Sequence, residues 1–182
     1  MEVLKWGHLQ FIHGYDVKRS ATHLCVEVTD HSGRRVQRSG LEQWLQLVAP
    51  PSASGSITVA LVSDARMRAL NRRFRGVDRV TDVLSFPWNE RAPRGATTLT
   101  SETDFSHLGD IVIATGRASR QACEAGHAKR VELRILVLHG LLHLLGYNHE
   151  EDAGLMARIE KQCRLRGGLP VSLIERAGQR SP

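Results

Sequence analysis

Cysteine is scarce in this chain. The three present, Cys25, Cys123 and Cys163, are odd in number and far apart, with no C-x-x-C pair among them. That excludes a zinc ribbon, a dithiol redox motif and a disulfide framework, and predicts three reduced, partly buried thiols in a cytosolic protein. Long apolar runs are missing as well. The longest candidate, residues 135–147, falls short of the roughly 18 to 20 residues that a membrane span needs, and it carries two histidines. Lys5, His8, Gln10, His13 and Asp16 interrupt residues 1–20, so no secretory apolar core forms there. There is no repeat of 20 to 50 residues and no low-complexity tract. The expectation is a cytoplasmic chain with no membrane contact.

What is present suffices for a core. The chain has 182 residues, 41% of them hydrophobic, enough for one globular domain and no argument for two. A net charge of +6 and an isoelectric point near 9.8 bias its partner toward a polyanion.

Periodicity then places the elements. Residues 23–29 alternate as a strand does, 41–48 carry helical apolar spacing, and 57–62 form a short β-branched run. Ser63 and Asp64 read as a helix cap, with Met67, Leu70 and Phe74 as the apolar stripe of the helix that follows. Residues 80–86 and 109–114 read as two more strands. The connection over 87–108, rich in Pro, Gly, Ser and Thr, exceeds ordinary loop length and reads as a mobile lid or local disorder. Helices are predicted over 115–128 and 130–145, the second apolar on nearly all sides and therefore buried. A last one over 151–166 has Leu155, Ile159 and Cys163 at helical spacing and stops at Gly167 and Gly168. The fold expected is α+β: a small mixed sheet packed against helices, with a central buried helix carrying histidines. Residues 1–20 read as a loose extension, 21–168 as the domain and 169–182 as a flexible tail.

The chemistry concentrates near the far end, in His139-Gly-Leu-Leu-His143-Leu-Leu-Gly146-Tyr-Asn-His149. Histidines four apart share one helix face, a glycine three further on ends the helix, and the returning chain brings in a third imidazole. Three neutral nitrogens leave a tetrahedral metal one open position, which separates a catalytic zinc from a structural one. Zinc peptidases of the H-E-x-x-H-x-x-G-x-x-H type share this spacing, but their general base is a glutamate where this chain has Gly140. The cradle is kept and the proteolytic base is dropped. Glu150, Glu151 and Asp152 read as helix caps, and Asp82 and Asp110 as structural anchors.

A second constellation precedes it. Arg72, Arg73, Arg75 and Arg79 fall within eight residues, just before an extended apolar segment. A guanidinium grips phosphate through a planar fork, so this cluster suits phosphodiester chemistry, with Arg75, next to Gly76, foremost. The alternative is a solvated helix end whose arginines favour the C-terminal dipole.

Three ordered stretches, R-G-x-D with T-D-V-L-S-F-P over 71–87, L-G-D-I-V-I over 108–113, and the histidine motif, resemble the bacterial YbeY family of rRNA-maturation endoribonucleases. The resemblance covers about 22–168. It implies a metal-dependent endoribonuclease with a preference for single strands, acting with zinc, one ion per chain, in 16S rRNA 3′-end maturation and ribosome quality control. RNA and the 30S or 70S ribosome are the partners it implies. The family's metal ligands fall on His139, His143 and His149, and the arginine important for its activity on Arg75. Two departures stand out: Asn148 replaces the usual aspartate, and residues 1–20 have no counterpart in a typical member.

A metal held by three neutral imidazoles keeps its charge of +2, and Arg75 would offset charge building on the non-bridging oxygens. Phe86 and Trp88 are candidates for base stacking. Two readings from other classes compete: a zinc peptidase with its base elsewhere, and a non-catalytic ribosome-binding protein with a structural metal.

Overall fold

The computed structural model describes residues 24–37, 40–88, 107–149 and 151–170. Its elements run β1 (Leu24–Thr29), α1 (Leu41–Val48), β2 (Gly55–Val62), α2 (Asp64–Arg75), β3 (Val83–Pro87), β4 (His107–Ala114), α3 (Thr115–Glu124), α4 (Lys129–Leu144) and α5 (Leu155–Arg166). The strands form one mixed sheet in the order β1-β2-β4-β3, with β1, β2 and β4 parallel and β3 antiparallel at the edge. This is the α+β class that the sequence predicted.

Alternation along the strands divides the interior in two. Leu24 and Val28 of β1, Ile57, Val59 and Leu61 of β2, and Ile111 and Ile113 of β4 face the main core, shared with α1, α4 and Cys163 of α5. The opposite face carries Val62, Leu84, Val112 and Ala114, which pack on Met67 of α2. Helices thus cover both faces, and β3 lies between the layers at their open edge. Burying each such large side chain is worth roughly 1.5–3 kcal/mol relative to leaving it in water.

Local chemistry sets the boundaries. Ser63 caps α2 by accepting from the Arg66 backbone N–H at 3.2 Å, and Gly76 ends the helix at φ 70°, a left-handed conformation that suits glycine. Asp82 accepts from the Val83 N–H and, through its other oxygen, from Gln121 Nε2 at 2.8 Å, pinning the start of β3 to α3. At the head of α5, Asp152 accepts from the backbone N–H groups of Gly154 and Met156. Its predicted capping role holds.

Several expectations need correction. Phe74 is not part of the buried stripe of α2; that stripe is Met67 and Asn71, while Phe74 is 50% exposed. On α5 Met156, Glu160 and Cys163 are buried and Ile159 packs partly buried against the core, whereas the predicted Leu155 is 41% exposed. The helix α3 stops at Glu124, four residues short of 128, and β3 starts three residues later than position 80. Cys25 and Cys123 are exposed, so only Cys163 is a buried thiol; burial pushes its pKa up. The predicted lid falls mostly in 89–106, and the extension and most of the tail in 1–23 and 171–182, all outside the described residues. No helix among the described residues is long and apolar enough to cross a membrane.

Candidate metal centre

The helix α4 is pressed hard onto the sheet. Ile135, Leu136, Val137, Leu138, Leu141 and Leu142 are almost fully covered. Gly140 is the point of closest approach: Ser85 of β3 donates its hydroxyl to the Gly140 carbonyl at 3.2 Å, and a Cβ there would stand 2.8 Å from Ile111 Cγ2. The position that holds the base in the zinc peptidases therefore faces β-sheet, and a glutamate has no room in it.

On the same helix His139 and His143 lie one turn apart. His139 is 6% exposed and His143 partly buried, and their Nε2 atoms are 3.1 Å from each other. Past Leu144 the chain turns through Gly146, at φ 88°, and returns His149 to the same corner. The ring centroids are 4.7 Å apart for His139 and His143, 5.6 Å for His139 and His149, and 5.5 Å for His143 and His149. Three imidazoles bound tetrahedrally through Nε2 at about 2.05 Å would have nitrogens about 3.3 Å and centroids about 5.2 Å apart. The triangle fits that size. The donors are not yet gathered into one shell: among the described residues, no three His, Cys, Asp or Glu side chains meet closely enough to hold an ion as they stand. His139 and His143 make the close pair, and His149 completes the triangle by the position of its ring.

Behind the pair stands a residue that the sequence reading missed. Glu160 of α5 is 1% exposed, and its Oε1 lies 3.1 Å from His139 Nδ1. A partner at Nδ1 fixes the ring so that Nε2 faces His143. The other carboxyl oxygen, Oε2, is buried with no hydrogen-bond partner. A charged residue between Met156 and Cys163 at helical spacing was the available signal, passed over because only the apolar positions were followed.

The electrostatics of the corner favour a neutral His143. Burial pushes the pKa of His143 down to about 4, helped by the neighbouring His139 and His149 and by the positive charge of Arg75. A neutral imidazole is the form that binds a metal. Arg75 sits at the C-terminal end of α2, which packs on the opposite face of the sheet, and its positive charge disfavours protonation of His143. Asn71, 5% exposed, holds that connection by donating Nδ2–H to the Arg79 carbonyl at 2.8 Å.

The other candidates are not at the corner. Asp82 is an anchor, as described. Asp110 faces His107 Nε2 at 3.3 Å, on a ring that also touches Ser56 Oγ at 3.2 Å. Trp88 packs edge-on against His107, and Phe86 against Phe74.

The chain is an α+β protein in which three histidine rings gather at the end of α4, the helix that packs on the antiparallel edge strand. The family model described as endoribonuclease YbeY matches residues 26–166. Proteins named Endoribonuclease YbeY are 42% identical to this chain in Gloeobacter violaceus, over 84% of this chain and 77% of the relative, and in Solibacter usitatus, over 78% and 86%. A third, from Koribacter versatilis, is 45% identical over 67% of this chain and 71% of its own. This chain belongs to the YbeY endoribonuclease family. A solution structure of a Thermotoga maritima protein is 24% identical, covering 79% of this chain and 88% of that one with a TM-score of 0.48, too slight a likeness to add to the sequence match.

Proposed function

We propose that this protein is a zinc-dependent endoribonuclease that hydrolyses phosphodiester bonds in single-stranded RNA, and that in the cytoplasm it acts on the 16S rRNA precursor in 3′-end maturation and on 30S or 70S ribosomes in quality control. The observation that carries the chemical part is the histidine triangle, sized for a tetrahedral ion and backed by Glu160. Family membership supports the RNA substrate.

His139, His143 and His149 would hold one ion. Such an ion, when bound, polarises a phosphoryl oxygen and makes water a better nucleophile near neutral pH. Glu160 keeps His139 in the tautomer whose Nε2 lone pair points into the site. Arg75 approaches from the α2 side and can offset charge that grows on the non-bridging oxygens. Its planar fork also fixes the phosphate against the β3 edge. Gly140 contributes close packing and no proton transfer, which counts against peptide cleavage.

The test is cleavage of an RNA with a single-stranded 3′ extension by wild type, His143→Ala and Arg75→Ala, with bound metal quantified in each. Cutting should vanish with the metal in His143→Ala. In Arg75→Ala it should fall by about 10²–10³ while metal is retained, the usual cost of losing one charge-stabilising donor. A wild type that holds one ion per chain and leaves RNA intact would sink the nuclease reading and favour the ribosome-binding one.

A further inference from the structure

The end of α2 presents an aromatic ring to solvent on an otherwise polar helix. Phe74 is 50% exposed, and Val77, just past Gly76, is 38% exposed. The ring is nevertheless held. Its edge meets Phe86 of β3, with centroids 5.0 Å apart and planes at 69°, and the Arg73 guanidinium carbon lies 5.3 Å from its centroid. Phe86 in turn packs on the second core cluster, so the exposed ring stands on a fixed base.

Two further features say what belongs on it. The first is charge: Arg68 and Arg120 are taken by Asp78 and Asp64, at 2.8 Å and 2.7 Å, whereas Arg75 and Arg79 have no carboxylate partner among the described residues. The second is continuity with the histidine corner. Arg75 follows Phe74 directly in the chain, Phe74 leans on Phe86 of β3, and the neighbouring Ser85 donates to the Gly140 carbonyl on the helix that carries His139 and His143. A polyanion with a phosphate against Arg75 would bring whatever is attached to that phosphate over Phe74.

We propose that Phe74, braced by Phe86 and flanked by Arg73, is the stacking platform for one base of a single-stranded nucleic acid, next to the phosphate engaged by Arg75. This rests on the endoribonuclease reading above and specifies its substrate subsite. Bases in a duplex are stacked on their neighbours and have no free face to offer, whereas an unstacked base lies flat on an aromatic ring. The platform thus contributes strand preference without reading sequence, because every base has a π-face.

The experiment measures anisotropy of a short labelled single-stranded RNA with wild type, Phe74→Ala, Phe74→Tyr and Arg75→Ala across a salt series. Phe74→Ala should bind about 5- to 100-fold more weakly, with an unchanged salt slope because no counterion release is lost, and Phe74→Tyr should restore affinity. Arg75→Ala should flatten the slope. A 2-aminopurine scan along the RNA on unaltered protein guards against misfolded variants: one position should be quenched. Binding by Phe74→Ala within about twofold of wild type, or a scan with no quenched position, would overturn the platform and leave the ring to a protein contact. If wild type itself binds no single-stranded RNA, the endoribonuclease reading falls first.

Discussion

Glu160 offers the sharpest test of how the histidine corner is built. Its carboxyl is buried at 1% exposure, 3.1 Å from His139 Nδ1, so it orients a ring that has no other partner at that nitrogen among the described residues. Glu160→Gln keeps the size and one oxygen that can accept from Nδ1–H, but removes the negative charge facing a +2 ion through the imidazole. Glu160→Ala removes both. Partners of this kind are worth about 10- to 100-fold in metal affinity, which is about 1.4 to 2.7 kcal/mol. We expect glutamine at the lower end of that range and alanine at the upper. Zinc affinity is read by titration against a competing chelator at fixed pH, with His143→Ala as the reference for a destroyed site. Thermal melts of the metal-free proteins check the fold, where each 1 kcal/mol moves Tm by about 2–4 °C in a chain of this size. If both Glu160 variants bind zinc within twofold of wild type while His143→Ala does not, the carboxyl has no orienting role. If His143→Ala also keeps wild-type affinity, the ion is bound elsewhere.

Further outcomes follow from the same geometry. Gly140→Ala places a Cβ 2.8 Å from Ile111 Cγ2 and 3.1 Å from Ser85 Oγ, so it should destabilise by about 1–3 kcal/mol in urea unfolding; a loss under about 0.5 kcal/mol would mean that α4 is not packed so tightly. His143, with its pKa pushed down from 6.5 to about 4, takes up a proton more readily in the unfolded chain. The metal-free protein should therefore lose stability as pH falls from about 6.5 to about 4, and the slope should flatten in His143→Ala. An identical slope in the two proteins would assign the titration to other groups. Asn71→Ala removes the donor to the Arg79 carbonyl, a cost of about 0.5–1.5 kcal/mol, and should loosen the turn after Arg75. Faster amide exchange over 76–82 than in wild type would register it.

The sequence disclosed the ligands better than their setting. His139, His143 and His149 stand out because a helical pair, a turn glycine and a third histidine form a pattern that lies wholly within one local stretch. The cap at Ser63 and the mixed α+β architecture were legible for similar reasons, since each shows in patterns along neighbouring residues. Glu160 was not, because its partner is on another helix. Phe74 was misread in the opposite direction: helical spacing fits the stripe, but β3 offers Phe86 at the rim of that face, and the ring leans on it from outside. Nor can spacing reveal that Gly140 is a contact point, since that depends on how closely α4 approaches β3 and β4.

One property of the centre follows from where its parts lie along the chain. His139, His143, His149 and Glu160 all fall between positions 139 and 160, on α4, on the connection that follows it and on α5. An ion there would be a clasp joining α4 to α5. It would staple the last helix to the one buried in the sheet, by contacts between near neighbours in sequence that form early and cheaply during folding. Arg75 arrives from a distant part of the chain and from the far side of the sheet, so it can reach the clasp only once β3 has docked. The fold would then acquire the capacity to hold the ion before the capacity to grip a phosphate, and a partly unfolded molecule with β3 detached would carry metal without being able to use it.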